Sequence, residues 1–284
     1  MKKILKKSAA ALAALTLTAA LAGCGSSASS AATSTDTTAS TAETSGENEL
    51  EKVKAAGKLV IGVEGTYPPF TYHDDNGELT GLDVELGKAL AEKLGVEVEF
   101  QEAAWDSLLI GIDTGRFDTV INSVSITDER AEKYDFSEPY AYNRTAVITK
   151  GDNDTINSLE DLKDKKTANT ISSTYAQLAE QYGADVTGVD DLNQTFELLN
   201  SGRIDATLNA EVTFYDYTKE HPDANVKIAV LTQDANEVAI PLRKGDETAT
   251  LREAINTAID ELRASGQLKD LSEKYFGTDI SSND

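Results

Sequence analysis

The chain has 284 residues, a formal net charge of −23 and one cysteine. A surface with this much negative charge repels nucleic acid and anionic membrane surfaces. We therefore expect no nucleic-acid partner. A single cysteine cannot form an internal disulfide bond, so the folded part must be stable through its core. Residues 49–284 are numerous enough for one large lobe or two medium ones.

Residues 1–23 have the pattern of a secretory signal peptide. Four lysines within residues 2–7 precede an apolar stretch that ends on LAGC at 21–24. The stretch has about 15 apolar residues, too few to span a membrane comfortably. The LAGC ending resembles a bacterial lipobox, which implies that Cys24 is lipidated and becomes the first residue of the mature chain. The alternative is a free cysteine in a signal that is discarded.

Residues 24–51 follow as a tether that begins with the lipidated cysteine. They are nearly all Ser, Thr and Ala with no aromatic residue, a composition that cannot bury a core and predicts disorder. The root-mean-square reach of such a tether is roughly 25–30 Å by flexible-chain scaling. We therefore expect a folded part that is held by its lipid near the membrane but can rotate above it.

From Lys58 onward the pattern alternates between strands and helices. KLVIGV (58–63) predicts a strand, and the leucines of residues 82–94 recur every four positions, as on one face of a helix. Later strands are predicted at 96–100, 118–122, 144–149, 166–171, 204–209, 225–230 and 237–244. Later helices are predicted at 105–115, 158–164, from 174, and at 191–202, 246–264 and 267–276. This alternation predicts the α/β class, with largely parallel sheets covered on both faces.

An internal repeat suggests two lobes built on one plan. TGRFDTVIN (114–122) and SGRIDATLN (201–209) align at an offset of 87 residues. In each, a glycine can end a helix in a left-handed cap, and a strand ending in Asn122 or Asn209 follows. The shared Arg and Asp have a structural explanation in capping and surface pairing. Because ligands of open α/β sheets lie outside the carboxyl ends of strands, two such ends facing each other predict a cleft.

Most catalytic motifs are missing from the sequence. The two histidines, His73 and His221, have no partner at ligand spacing, so both are interpreted as surface residues and no metal is expected. No nucleophile elbow, dinucleotide-binding or phosphate-binding glycine motif occurs, and no cofactor is expected. The 49 acidic residues leave a pair of catalytic carboxylates open by count alone. The absence of motifs favours binding over turnover.

Two loops carry the strongest binding candidates. EGTYPPF (64–70) follows the first strand, and its two prolines would hold Tyr67 and Phe70 with little mobility. Phe70 is expected in the core, whereas Tyr67 is either a stacking wall for a small ligand or a core residue. Trp105, beside another strand end, has the same two interpretations. NSVSITDER (122–130) gathers hydroxyl groups and delivers one arginine, which on its own reads as a surface-helix residue.

Long segments resemble family 3 of the bacterial extracellular solute-binding proteins, the polar amino acid receptors of ATP-driven importers. The resemblance covers residues 52–277 and rests on VEGTYPPFTYHDDNGELTGLDVELGKALAEKLG, WDSLLIGIDTGRFDTVINSVSITDERAEKYDFSEPYA, GRIDATLN and LREAINTAIDELRASGQLKDLSEKYFG. It implies a two-lobed periplasmic-binding-protein type II fold, each lobe a sheet flanked by helices, joined by two hinge strands. Lobe 1 would comprise 52–142 and 235–277, lobe 2 would comprise 143–234, and 278–284 would be a tail.

The resemblance also implies a set of ligand-binding residues. Arg130 matches the family's arginine that grips the ligand's α-carboxylate, as a planar guanidinium can hold both oxygens. The neighbouring hydroxyls and the aromatic loop complete the implied half-site of lobe 1, and a helix start provides that of lobe 2. In chain order the implied residues are Glu64, Tyr67, Trp105, Ser123, Ser125, Arg130, Ser173 and Thr174. Ser172 departs from the family's pattern, which usually has glycine there.

A second departure concerns the ligand's α-ammonium group. Members of the family commonly place an aspartate at the end of the GRIDATLN strand, where this chain has Ala210. Burying an unpaired ammonium costs several kcal/mol, so another carboxylate must replace the aspartate or the ligand has no α-ammonium. Glu64 is the first candidate and Glu211 the second, since Glu211 has another explanation in the first turn of a helix.

The function implied by the resemblance is that of a receptor. The chain would be a monomeric lipoprotein on the outer face of the cytoplasmic membrane, at the cell surface or in the periplasm. It would deliver a polar amino acid to the permease of an ABC-type importer, and the EGTYPPF loop, Trp105 and the Ser/Thr-rich site resemble the cystine-binding branch. The alternatives are a secreted dehydratase-like enzyme on the same fold and a sensor input or adhesion module.

Overall fold

The computed structural model describes residues 48–283. The predicted signal peptide, Cys24 and most of the predicted tether lie outside the described residues. The end of the tether range is a correction to the prediction, because a helix begins at Glu49. Asn48 caps this helix by accepting the Leu50 backbone N–H at 3.0 Å, which satisfies one of the free amides of the first turn. None of the helices within 48–283 is long and apolar enough to cross a bilayer.

The helices have the following bounds. They are α1 (Glu49–Ala56), α2 (Leu82–Leu94), α3 (Trp105–Asp113), α4 (Asp128–Lys133), α5 (Thr174–Gln181), α6 (Leu192–Asn200), α7 (Glu211–Glu220), α8 (Ala249–Ala264) and α9 (Gln267–Phe276). Two short 3₁₀ helices span Leu159–Leu162 and Asp246–Thr248. Each predicted helix therefore has a counterpart in the structure, α4 and α7 include the helical positions expected for Arg130 and Glu211, and α1 is an addition.

The strands have the following bounds. They are β1 (Lys58–Val63), β2 (Thr66–Tyr67), β3 (Thr71–His73), β4 (Leu79–Thr80), β5 (Glu97–Glu102), β6 (Thr119–Val120), β7 (Tyr134–Phe136), β8 (Ala141–Lys150), β9 (Lys166–Asn169), β10 (Asp185–Gly188), β11 (Ala206–Ala210), β12 (Val226–Val238) and β13 (Pro241–Arg243).

Two sheets carry the two lobes of this α/β fold. The first has the order β5-β1-β6 and is parallel throughout. The second has the order β10-β9-β11-β8-β12, with parallel pairs among β10, β9 and β11 and antiparallel pairs from β11 to β8 and from β8 to β12. The expectation of largely parallel sheets is therefore confirmed for the first sheet and corrected for half of the second. Two small antiparallel sheets, β2-β3-β4 and β13-β7, accompany them.

The leucine stripe of α2 packs into the core, as its spacing predicts. Leu86 and Leu90 are 0% exposed, and Leu82 and Leu94 are also buried. Residues four apart lie on one face of a helix, so a stripe of this length covers one sheet face without exposing apolar surface. Gly95 then adopts φ 74°, a left-handed cap that ends the helix where the sequence indicates.

The internal repeat has the same structural role in both lobes. Gly115 and Gly202 follow α3 and α6 with φ of 68° and 70°. Asp118 then accepts the Val60 N–H of β1 at 2.7 Å, and Asp205 accepts the Lys166 N–H of β9 at 2.8 Å. Each aspartate thus connects the start of its own strand to the neighbouring strand, which accounts for its presence in the repeat. Strands β6 and β11 therefore have equivalent positions in the two sheets.

Strands β8 and β12 pair along their length and lead from one sheet toward the other. Their register shifts between Leu231 and Ala235, close to the pair that Asn236 makes with Asn143. At the end of β12, Val238 bridges to Ser125 in the loop that follows β6. That loop is also held by the bond from the Ile126 N–H to the Glu237 carbonyl at 2.9 Å. The polar loop after β6 is therefore anchored to the strand that connects the lobes.

Candidate ligand-binding site

A pocket with about 520 Å³ of empty space, open solvent at its mouth included, lies at the carboxyl ends of β1, β6, β9 and β11. This is where ligands of open α/β sheets bind. The structure brings to it eight of the nine residues that the sequence analysis implies, and it does not bring Glu211 there. The lining residues are Glu64, Tyr67, Trp105, Ser123, Ser125, Arg130, Asn169, Thr170, Ser173, Thr174, Tyr175, Asp191, Leu192, Thr195 and Asn209.

Arg130 is a buried cation at this pocket. Its side chain is 8% exposed, its Nη1 donates to the Ser125 carbonyl at 2.9 Å, and its guanidinium lies 5.5 Å from the centre of the Trp105 ring. Burial lowers the pKa of Arg130. No carboxylate within residues 48–283 forms an ion pair with it. A buried guanidinium without a counter-ion is costly, so the arrangement favours the arrival of an anion.

Ser123 and Ser125 line the same pocket as Arg130, on a strained loop. Ser123 has φ 50°, a left-handed conformation that is uncommon for residues other than glycine. Its backbone N–H donates to the carboxylate of Asp83 at 2.6 Å, and the Tyr140 hydroxyl donates to the same carboxylate at 2.8 Å. Because Asp83 is fully buried, its pKa is raised to about 7. Asp83 therefore holds the Ser123 backbone in place from beneath the pocket.

Glu64 lies at the end of β1, where it accepts hydrogen bonds from the Thr66 hydroxyl at 3.2 Å and the Asn122 amide at 3.4 Å. Its pKa is raised to about 7, chiefly because burial disfavours the charged form and in smaller part because Asp191 and Asp106 lie nearby. No cation within the described part of the chain pairs with it. Glu64 is thus an acceptor at the pocket that a positively charged group would stabilise.

Asp191 is a second pocket carboxylate, one that sequence reasoning missed. It caps α6 by accepting the Gln194 backbone N–H at 2.9 Å and the Gln194 side-chain amide at 3.3 Å. A signal was available, because an acid at the start of a helix that follows β10 stands at the carboxyl end of a parallel strand. With Glu64, it gives the pocket two carboxylates against the single guanidinium of Arg130.

Ser173 and Thr174 begin α5, as the resemblance implies. Ser173 is the cap of the helix, and its hydroxyl accepts the Ala176 N–H at 3.1 Å. Its neighbour Ser172, which stands where the family usually has glycine, contacts the opposite lobe. The Ser172 hydroxyl and backbone N–H donate to the carboxylate of Asp106 at 2.5 and 3.2 Å. Its carbonyl accepts from Arg130 at 3.3 Å, so this serine connects the lobes across the pocket.

Tyr67 makes a further contact across the pocket. Its hydroxyl donates to the Asn209 side-chain carbonyl at 2.8 Å, and its ring stacks on Phe70 at 5.1 Å between centres. Phe70 is fully buried, as predicted, and Tyr67 is both a core residue and part of the pocket wall. With the Ser172–Asp106 contact, this bond defines a closed arrangement of the two lobes.

Glu211 is a correction to the sequence analysis. Its carboxylate lies 2.8 Å from Nη2 of Arg144, and it does not line the pocket. The physical reason is its place in the first turn of α7, which directs the side chain toward β8. Ala210 ends β11 fully buried and offers no side-chain acceptor.

The histidines lie apart from the pocket. His73 bonds to the Gly77 carbonyl and the Glu102 carboxylate, both at 3.0 Å, and its hydrogen bond to Glu102, which accepts, raises its pKa. Within residues 48–283 no cluster of His, Cys, Asp or Glu has the arrangement of a metal site.

The fold and the pocket together define a two-lobed solute-binding protein. Residues 59–278 match the bacterial extracellular solute-binding proteins, family 3, and the chain belongs to that family. It is 41% identical to the L-cystine-binding protein TcyA of Bacillus subtilis (strain 168) over 230 residues, which is 81% of this chain and 85% of TcyA. The protein TcyJ of Escherichia coli (strain K12), also named as an L-cystine-binding protein, is 41% identical over 239 residues, which is 82% of this chain and 88% of TcyJ.

Two solved structures, one with a bound ligand and one open and unliganded, serve as comparisons for the arrangement of the lobes. An ancestral arginine-binding protein bound to arginine matches with a TM-score of 0.73 at 40% identity, over 78% of this chain and 99% of that one. The unliganded, open L-cystine receptor of Neisseria gonorrhoeae matches with 0.57 at 42% identity, over 83% of this chain and 100% of that one. The more similar sequence thus has the less similar structure, as expected when the lobes of this chain are closed.

The serine contact between the lobes leads to a prediction about closure. Ser172→Gly removes the hydroxyl that donates to Asp106, and we expect the ligand-free protein to open and its radius of gyration to increase in small-angle X-ray scattering. Ligand affinity should fall about fivefold, because one hydrogen bond of roughly 1 kcal/mol no longer favours closure. Ser201→Gly is the matched control, since the Ser201 hydroxyl bonds only within its own lobe, to the Leu198 carbonyl. Equal scattering curves for Ser172→Gly and the unaltered protein would show that the Ser172–Asp106 hydrogen bond does not hold the lobes together.

Proposed function

We propose that the chain is a receptor that binds a polar amino acid and delivers it to the permease of an ABC-type importer. One observation carries the proposal: a buried guanidinium, Arg130, has no ion-pair partner among the described residues and lies at a pocket that also contains two carboxylates. An α-amino acid presents one carboxylate and one ammonium, which are the complementary charges. The family and the relatives support delivery to a permease.

L-Cystine is the first candidate ligand. Two curated relatives that are 41% identical are named as L-cystine-binding proteins. The two pocket carboxylates, Glu64 and Asp191, match the two ammonium groups of L-cystine, whereas only one of its two carboxylates can pair with Arg130, the single guanidinium in the pocket lining. Arginine is the comparison ligand, because it too carries a second cation and is bound by an ancestral protein that is 40% identical.

We further propose that the protein works by closure on its ligand. The proposed lobes are 52–142 with 235–277, and 143–234, with hinges near 142–144 and 234–236. The register shift of β12 between Leu231 and Ala235 supports the position of the second hinge, since an interrupted ladder bends more readily. Lipidation of Cys24 would hold the receptor, as a monomer, on the outer face of the cytoplasmic membrane.

An enzyme of the dehydratase type is the second candidate function. The observation in its favour is Glu64, because its pKa of about 7 suits a general acid at neutral pH and it lies beside the Arg130 pocket. A receptor returns its ligand unchanged, whereas an enzyme does not. Recovery of the ligand after incubation therefore distinguishes the two.

A thermal-shift screen of the purified protein tests the ligand assignment. The panel contains the proteinogenic amino acids, L-cystine and the corresponding des-amino acids. A ligand at a thousand times its Kd stabilises the folded state by roughly 4 kcal/mol, which is a large shift in melting temperature. We expect L-cystine to give the largest shift. Shifts with des-amino acids but with none of the amino acids would contradict the proposal.

A further inference from the structure

One pocket residue, Asn169, has a polar atom with no partner. It is the last residue of β9, lines the pocket and is 3% exposed. Its amide nitrogen donates to the Leu208 carbonyl at 2.7 Å, with the Thr207 hydroxyl at 3.4 Å. Its side-chain carbonyl oxygen, by contrast, has no hydrogen-bond donor anywhere in residues 48–283. A buried acceptor left unpaired is costly, so such an atom requires an explanation.

The orientation of this amide is fixed by its surroundings. The backbone carbonyl of Leu208 can only accept hydrogen bonds, so the NH₂ group of Asn169 must face it. Turning the amide over would bring two oxygen atoms together and lose the bond. The carbonyl oxygen of Asn169 is therefore held on the other side as an acceptor, and no donor of the described chain reaches it.

The neighbouring groups show what this acceptor can do. An ammonium group has three N–H donors, and a single carboxylate does not satisfy all of them. Ala210, at the end of the adjacent strand β11, has no side-chain acceptor. The side-chain carbonyl of Asn209 already accepts the Tyr67 hydroxyl and the Ala210 N–H, both at 2.8 Å. Asp191 supplies negative charge at the pocket, and Asn169 supplies an acceptor that is still free.

We propose that the side-chain carbonyl of Asn169 accepts a hydrogen bond from an ammonium group of the ligand and so selects for amines. The proposal rests on the proposed function, since it requires an amino acid ligand. It makes Asn169 a specificity-determining residue: an analogue of the same shape without the amino groups leaves this acceptor unpaired and is rejected for that reason.

The test compares two probes that differ only in their amines. L-Cystine and 3,3′-dithiodipropionate, which is cystine without its two amino groups, are titrated into the unaltered protein and Asn169→Ala by calorimetry, with competition titrations for weak binding. We expect the variant to bind L-cystine about tenfold more weakly and to bind the des-amino analogue within about twofold of the unaltered protein. L-Arginine and 5-guanidinopentanoate form a second pair with the same expectation.

Structural damage is distinguished from lost recognition by the pattern across the probes. A merely structural role for Asn169 would weaken both members of a pair equally, and that result overturns the inference, as does unchanged L-cystine affinity. Asn256→Ala is the matched control, because the Asn256 side chain also bonds to the backbone, accepting the Glu138 N–H at 2.8 Å, but does not line the pocket. Asn169→Ser repeats the test should Asn169→Ala fail to fold. Absence of binding by any amino acid to the unaltered protein would instead overturn the proposed function.

Discussion

Replacement of Arg130 by lysine is expected to weaken amino acid binding by at least about tenfold, because a point charge replaces a planar fork that matches both carboxylate oxygens. The guanidinium of Arg130 uses two separate nitrogens to donate to the Ser125 and Ser172 carbonyls. The single nitrogen of a lysine side chain cannot reach both carbonyls at once. Calorimetric titration of the unaltered protein and Arg130→Lys with L-cystine measures the effect. The melting temperature without ligand should change little, since the charge is kept.

Arg252→Lys provides the matched control for this result. Arg252 lies 3.7 Å from Asp135 on the surface of α8, away from the pocket, so its replacement should leave ligand affinity unchanged. Equal affinity of Arg130→Lys and the unaltered protein would remove Arg130 from the residues that contact the ligand.

Glu64→Gln is expected to reduce affinity by roughly 2–3 kcal/mol, as for loss of a buried charge-assisted contact. The same residue predicts a pH dependence. Because burial and the nearby Asp191 and Asp106 raise its pKa to about 7, Glu64 is half protonated near neutrality and must lose its proton to pair with an ammonium. Between pH 7.5 and pH 5.5 the ionised fraction falls about 25-fold, so Kd should rise by about that factor if the bound carboxylate stays ionised.

Two comparisons test the assignment to Glu64. Glu64→Gln should remove most of this pH dependence, since glutamine does not titrate in the range. Glu211→Gln is the matched control, because Glu211 pairs with Arg144 outside the pocket, and it should cost less than roughly 1 kcal/mol. A Glu64→Gln variant that keeps both the affinity and the pH profile of the unaltered protein would transfer the ammonium contact to Asp191.

Local patterns made much of the fold predictable from sequence. The leucines of α2 recur at the period of a helix, and the stripe is buried because it covers a sheet. The repeat around Gly115 and Gly202 could also be predicted from the sequence, because a left-handed cap followed by a strand depends on residues that are close in the chain. The antiparallel pairing of β8 with β11 and β12 could not be predicted, because strands that are distant in the chain leave no pattern in the sequence that shows which of them pair.

Some of the pocket residues could likewise be predicted from the sequence, and others could not. Tyr67 lies in the segment that follows β1, so the rule that ligands lie at strand ends made it a candidate, whereas the ligand roles of Arg130 and Glu64 came from the resemblance to the family. Asp191 was read as part of a helix pattern, because a helix cap and a pocket carboxylate look alike in sequence. Asn169 carried no signal at all: its importance arises from the Leu208 carbonyl across the sheet, which orients its amide. Contacts between strands, rather than residue types, decide such cases.

The central claim is that this chain binds an amino acid and returns it unchanged. The most direct test is a calorimetric titration of the purified protein with L-cystine, followed by chemical assay of the ligand released on denaturation. We expect saturable binding to one site per chain, at least about tenfold weaker in Arg130→Lys, and quantitative recovery of intact L-cystine. Absence of binding by L-cystine and every other amino acid, or recovery of a product in place of the ligand, would contradict it.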